Sequence, residues 1–445
     1  MTHENLFESL GWKRKSDSKS LMEAHKSIPI PTTLSFFKKL LAFSGPGYMV
    51  AVGYMDPGNW ATDLAGGSKF GYTLLFVILM SNLFAILLQY LSAKLGIVSG
   101  RDLAQACRDS FPKWVNVILW LMTEVMITAC DLAEVIGSAI ALNLLFGIPL
   151  AVGVVVTAAD VLLLLMLQAK GFRVLETLVI VLVATIAILF GFEIFYSNPD
   201  FLAIIGGFVP VTEIFSNTEM LYIAIGILGA TVMPHNLYLH SAIVQTRNYA
   251  ETVEGKREAL KFSTIDSTMA LFFAFFVNAA ILIVAAATFH ANGYSEVAEI
   301  EQAYSLLTPV LGAGLASTFF AIALLASGQN STITATLAGQ IVMEGFLNIH
   351  IKPWLRRLIT RLIAIVPAII IVVLYGRSGL SKLLILSQVV LSMQLSFAVF
   401  PLIVFTSDKQ KMGVFVNGLI VKILAFAIGI FIAILNLWLI YSFLL

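Results

Sequence analysis

The sequence predicts an all-α polytopic membrane protein: two inverted five-helix repeats followed by an eleventh span, with spans 1 and 6 broken midway. Three observations predict it. The 445 residues are 59% hydrophobic and 12% charged, with a mean hydropathy of +0.92, whereas a soluble domain is nearer half apolar and a quarter charged. Two apolar runs are interrupted at matching places, one by Asp56-Pro57-Gly58-Asn59 and one by Met233-Pro234-His235-Asn236. Basic residues gather on one side when the runs are threaded back and forth through a bilayer.

A helix needs about 20 apolar residues to cross. By that measure the spans fall at roughly 40–67, 71–97, 114–142, 149–168, 173–195, 218–243, 266–289, 305–328, 358–376, 382–405 and 414–443. Residues 1–39 form a polar tail with Lys13, Arg14, Lys15 and Lys19 and no apolar core, unlike a signal peptide. Residues 40–195 hold the first repeat and 218–405 the second. Five spans is an odd number, so the second repeat enters the membrane in the opposite sense. Residues 414–445 carry the eleventh span, outside the repeat and expected at the periphery. Arg101 to Phe111 reads as a short amphipathic helix on the cytoplasmic surface.

Charge sets the orientation. With the N-terminus in the cytoplasm, the tail and the loops on its side hold 23 of the 27 Lys and Arg residues. The other side keeps only Lys69, Arg377 and Lys382, and Lys422 falls in the last span. Leu445 is then outside, and the expected location is the inner (plasma) membrane. The net charge of +1 gives no basis for a nucleic-acid partner. Cys107 and Cys130 make neither a disulfide framework nor a zinc spacing. Nothing in the sequence calls for an obligatory protein partner or a resident cofactor.

The breaks carry the chemistry. Proline removes an N–H and clashes with the preceding turn, and broken backbone at membrane depth survives only when protein covers it or it lines a cavity. An aspartate at mid-bilayer costs about 3 kcal/mol on insertion scales, which makes it a functional-site hypothesis by default; the plain alternative is a kink with a capping Asp. Asp56 lies about 16 residues into its run and Met233 about 15 into its own, the pattern that points to a transporter site. Asp56 offers a negative oxygen and Asn59 a neutral one. Gly53 and Ala230 offer carbonyls freed by lost helical bonds, and Met233 offers a thioether. Oxygen alone suits calcium or magnesium, whereas one added soft sulfur suits manganese, iron or cadmium. A methionine in an apolar span is usually filler; the place of Met233 beside Pro234 argues otherwise.

Span 3 carries Glu124, Asp131 and Glu134, which share one helical face within about 80°. Acids crowded on one poorly solvated face suit a proton path. His235, after the second break, is a further candidate for coupling. His235 and His240 lack the spacing and the glutamate of a zinc protease motif. Arg356 and Arg357 open span 9 at its cytoplasmic end, where charge bias alone would place them.

Four stretches resemble one family. MDPGNWATDLAGG and GATVMPHNLYLHS resemble the first and sixth helices of the natural resistance-associated macrophage protein (Nramp) metal-ion transporters. SGQNSTITATLAGQIVMEGF, placed after span 8, and SQVVLSMQLSFAVFP in span 10 resemble the same family. The resemblance implies a fold of the leucine-transporter type. It implies that Asp56, Asn59 and Met233 bind manganese or iron, with the carbonyls of Gly53 and Ala230 and the side chain of Gln388. It also implies that Arg356 and Arg357 join the span 3 acids in a salt-bridge network that carries protons. Trp60 and Ser396 depart from the family pattern, and Ser396, where proline is usual, is expected to alter the bend of span 10. Magnesium-transporting relatives lack the methionine. The expected function is proton-coupled symport of Mn²⁺, and also Fe²⁺ and Cd²⁺-like ions, into the cytoplasm by alternating access, with no enzymatic step. The rivals are a sodium-coupled amino-acid transporter on the same fold and a metal channel or sensor.

Overall fold

The computed structural model describes residues 11–13, 19–31, 35–159, 166–167, 170–295, 297, 299–312, 314–349, 355, 359, 362–363, 365–370 and 380–444. Span 1 is split twice. Helix α1 (Phe36–Phe43) turns at Ser44-Gly45 into α2 (Pro46–Gly53), and α3 (Pro57–Phe70) follows the second break. Then come α4 (Leu75–Ser99), α5 (Leu103–Ser110), α6 (Lys113–Phe146), α7 (Leu150–Val156), α8 (Phe172–Ser197), α9 (Phe201–Gly207) and α10 (Glu213–Ser216). The second half holds α11 (Thr218–Thr231), α12 (Pro234–Ile243), α13 (Val253–Thr288), α14 (Ile300–Leu311), α15 (Ala316–Leu347), α16 (Leu380–Thr406), α17 (Lys409–Met412) and α18 (Leu419–Leu444). Strands β1 (Ile28–Pro29) and β2 (Arg247–Asn248) pair in parallel.

Among the described residues, seven helical segments are long and apolar enough to cross a membrane. They match expected spans 2, 3, 5, 6, 7, 10 and 11. Span 1 is cut into pieces too short to count. Span 4 is described mainly in its first turns, α7, and much of span 9 lies outside the described residues. Burial sorts the rest. The apolar stretch of span 6 is 94% buried, against 28% for span 5 and 33% for span 11. Span 6 is therefore the axis of the molecule, and span 11 leans mainly on α16 from outside.

Several boundaries are corrected. Span 7 begins at Val253, not near 266, because its charged first turns continue the helix beyond the apolar stretch. Span 8 is α15, about ten residues later than expected; 300–311 forms the separate helix α14. The stretch SGQNSTITATLAGQ is thus inside the span, not after it. Its hydroxyls bond back to their own helix, Ser331 to Ser327 O at 3.0 Å and Thr332 to Gly328 O at 2.9 Å. This satisfies them inside the protein and hides the span from a hydropathy reading. Span 10 runs as helix through Ser396, with Pro401 its interior proline.

Helix α5 is also corrected. It is amphipathic and closed by a capping box from Asp102 and Gln105, but it is not on the surface. Residues 103–109 are all buried. The N-terminal segment covers them: Trp12 is buried, Arg101 stacks 4.4 Å over its ring, and the Lys13 N–H donates to Asp109 O.

The base of span 1 is anchored by charge. Asp266 on α13 accepts the N–H groups of Gly45 and Gly47 at 3.2 and 2.7 Å. Glu176 on α8 pairs with fully buried Arg247 at 2.5 Å and with Arg173 at 3.0 Å. Both arginines also donate to Ser44 O. Gly45 has φ +133° and lies against the Glu176 carboxylate, so a side chain there has neither the backbone conformation nor the room.

Candidate functional site

The first break is built from Tyr54, Met55 and Asp56. The N–H groups of Tyr54 and Met55 close short turns onto Ala51 O and Val52 O. Asp56 is extended (φ −69°, ψ 166°) and caps α3, its Oδ1 accepting the Asn59 N–H at 2.8 Å. Pro57 occupies the position whose N–H would have bonded Gly53 O, so that carbonyl has no helical donor. The next two carbonyls are supplied from outside. Asn278 Nδ2 donates to Tyr54 O at 2.8 Å, Trp60 Nε1 to Met55 O at 3.3 Å, and Ser327 Oγ to Met55 O as well.

The second break repeats the device. Val232 N–H bonds Leu228 O at 2.8 Å, Met233 is extended (φ −71°, ψ 122°), and Pro234 starts α12. Pro234 stands four residues after Ala230, as Pro57 does after Gly53, so Ala230 O loses its helical donor for the same reason. Met233 makes no side-chain cap bond.

Two contacts bring the breaks together. Gln388 on α16 donates from Nε2 to Asp56 Oδ2 at 3.4 Å and lies against Gly58. The backbone of the same residue faces Gly229, next to Ala230, where an added Cβ would meet Ser392 Cβ at 2.6 Å. On the other side, Asn236 of α12 packs on Gly53 so closely that a Cβ there would sit 3.1 Å from its Oδ1. Asp56, Met233 and Gln388 are 0% exposed and Asn59 1%.

The buried acceptors without a hydrogen-bond partner here include Asn236 Oδ1, packed on Gly53, and the pair Asn59 Oδ1 and Gln388 Oε1. Leaving such a group unpaired costs about 1–3 kcal/mol, and that pair lies beside a carboxylate. Unpaired acceptors beside a carboxylate suit a cation. Among the described residues no three His, Cys, Asp or Glu side chains cluster as a metal site. The donors expected from the sequence are of another kind: the Asp56 carboxylate, the Asn59 and Gln388 amide oxygens, the Gly53 and Ala230 carbonyls, and the Met233 sulfur.

The expected proton path is partly placed. Asp131 and Glu134 are buried, and Cys130 Sγ lies 3.5 Å from Glu134 Oε1. Glu124 is half-buried and accepts from Trp120 Nε1 at 3.0 Å. Their helix α6 meets the first break where Gly137 lies against Pro57, with no room for a Cβ. Arg356 and Arg357 lie outside the described residues. His235 is buried with neither ring nitrogen hydrogen-bonded, so it is not the bonded structural histidine that such positions usually hold. Sequence reasoning missed Asn278, Ser327 and Asn236. Asn278 was the findable one, a lone amide in the apolar run VNAAILIV.

Comparison with known proteins agrees with this architecture. The profile of the natural resistance-associated macrophage protein-like family matches residues 47–442. A divalent metal cation transporter MntH of Listeria monocytogenes is 63% identical over 430 residues, covering 97% of this chain and 96% of the relative. That of Nostoc sp. is also 63% identical, over 94% and 95% of the two chains. The crystal structure of the Eremococcus coleocola manganese transporter superposes with a TM-score of 0.89 at 42% identity, covering 96% of this chain and 91% of that one. The nucleobase–cation symporter Mhp1, at 15% identity and a TM-score of 0.59 over 88% and 90% of the chains, shares the fold alone, that of the leucine-transporter type. With a profile match over most of its length and relatives above 60% identity, the chain belongs to the Nramp family.

Proposed function

We propose that the chain is a proton-coupled importer of divalent transition-metal ions, with Mn²⁺ as principal cargo and Fe²⁺ and Cd²⁺ as further ones. The observation that carries this reading is the pair of unpartnered oxygens, Asn59 Oδ1 and Gln388 Oε1, buried beside Asp56 between two proline breaks. A dehydrated M²⁺ ion held by Asp56, Asn59, Gln388, the Gly53 and Ala230 carbonyls and Met233 would satisfy both. The names of the relatives, divalent metal cation and manganese transporters, support the same cargo.

In this reading the repeats at 40–195 and 218–405 act as two halves of one machine. The N-terminus is cytoplasmic, the C-terminus is outside, and the chain sits in the plasma membrane. Spans 1 and 6 rock against spans 3, 4, 8 and 9. A proton enters on Asp56 or passes to Asp131 and leaves past Glu134 and Glu124 toward Arg356 and Arg357, with His235 lining its start. An inward-negative potential favours cation entry by about 2.3 kcal/mol per charge per 100 mV. Transport of an amino acid fits less well. It would need the N-terminus of α3 for the substrate carboxylate, and Asp56 already caps that end.

The test is uptake into proteoliposomes with an internal pH dye. Saturable Mn²⁺ entry with acidification, blocked by Cd²⁺ and indifferent to amino acids, is expected. Uptake competed by amino acids, or unsaturable flux without acidification, would favour the rivals.

A further inference from the structure

We propose that the groove between α1 and the first turns of α13 binds the headgroup of an anionic phospholipid of the cytoplasmic leaflet. The groove has a volume of about 520 Å³ and is lined by Phe36, Lys39, Glu254, Arg257, Glu258, Lys261 and Phe262. Its charges are unequally engaged. Lys39 is held by Glu258 at 2.5 Å. Arg257 and Lys261 are exposed, lie one turn apart on the same face, and have no carboxylate partner among the described residues. Glu254, in the first turn of α13, is the remaining acid.

An apolar surface adjoins the groove. On α1, Phe36, Phe37 and Leu41 are 47%, 79% and 69% exposed, while Phe43 stacks inward on Phe262 at 5.4 Å. An amphipathic helix with exposed aromatics and flanking lysines lies in the membrane interface. Depth agrees. Helix α13 has 36 residues, about 54 Å of helix, against a hydrocarbon core of about 30 Å. Its first turns therefore stand at headgroup level. Lys261 also sits 5.8 Å over the Phe36 ring, which ties the basic face to the interfacial helix.

The contact has a mechanical consequence, which rests on the transport reading above. Helix α1 is joined through Ser44-Gly45 to α2, the half-helix that must move to open the inside. A lipid held at α1 would fix the handle of that lever, so anionic lipid should change the rate of transport as well as bind.

The test uses the full chain in phosphatidylcholine vesicles with stepwise phosphatidylglycerol, and native mass spectrometry for bound lipid. Selective retention of phosphatidylglycerol is expected. It should weaken about fivefold for each charge removed in Arg257→Gln and Lys261→Gln, and stay unchanged in Lys113→Gln, an exposed control on the same side. Mn²⁺ uptake by the wild type should vary with phosphatidylglycerol, and that of the double variant should not. Equal retention of both lipids, or equal loss in the control, would overturn the proposal. If no vesicle takes up metal, the transport reading fails while the binding measurement still decides the site.

Discussion

The two breaks share a backbone and differ in chemistry. Each places a proline four residues after a small residue, Gly53 or Ala230, and so strips one carbonyl of its donor. The first then adds charge: Asp56 caps α3 while its other oxygen meets Gln388. The second adds only a sulfur, for Met233 caps nothing. The first break is also propped by Asn278, Ser327 and Trp60, whereas Asn236 and Thr231 beside the second have side-chain atoms without hydrogen-bond partners. In the proposed transport reading the difference assigns labour: the first break would supply the attraction for a dication, and the second the discrimination between soft and hard ions.

Asp56→Ala should have the largest effect. Removing the charged partner of a buried ion costs about 2–5 kcal/mol, so metal uptake should fall to background; normal uptake would dissolve the assignment of charge to the first break. Asp131→Asn tests whether the proton leaves by the helix that touches that break. Metal should still enter while the internal dye stays unchanged, and retained acidification would place the path elsewhere. Met233→Ala should keep part of the Mn²⁺ uptake while Ca²⁺ and Mg²⁺ compete about tenfold better. Unchanged competition would mean that the sulfur only packs.

The smallest effect concerns the ground on which the second half-helix rests. Leu103 N–H donates to Ser241 at the end of α12, and α5 is capped by Asp102. Burial pushes the Asp102 carboxyl up to about 6, against the Gln105 N–H and Arg108, which hold it down. A carboxyl with a folded value above its unfolded one binds more protons folded, so stability falls as pH rises from about 4 to 6. Asparagine caps as well as aspartate. Asp102→Asn should therefore raise thermal stability at pH 7, by at most about 3 kcal/mol, and leave it unchanged below pH 4. A gain independent of pH would show that the charge is not the cause.

Both breaks were legible because proline and polar residues stand out against apolar runs; Asp56, Asn59 and Met233 were read as donors from their identities, and Gln388 only from the family resemblance. The repeat followed from the odd number of spans. What stayed hidden depends on neighbours. The polar residues of α15 read as a loop because hydropathy cannot see Ser331 and Thr332 bonding to their own helix. The burial of α5 was invisible because its outer face is covered by Trp12, about ninety residues earlier. Asn278 and Ser327 acquire meaning only from the carbonyls they reach, at Tyr54 and Met55.

The most direct measurement is X-ray absorption at the manganese edge of the purified, Mn²⁺-loaded protein. One sulfur neighbour among oxygens, lost in Met233→Ala while the oxygens remain, is the predicted spectrum. A shell of oxygens alone in the wild type would contradict a single ion shared by both breaks.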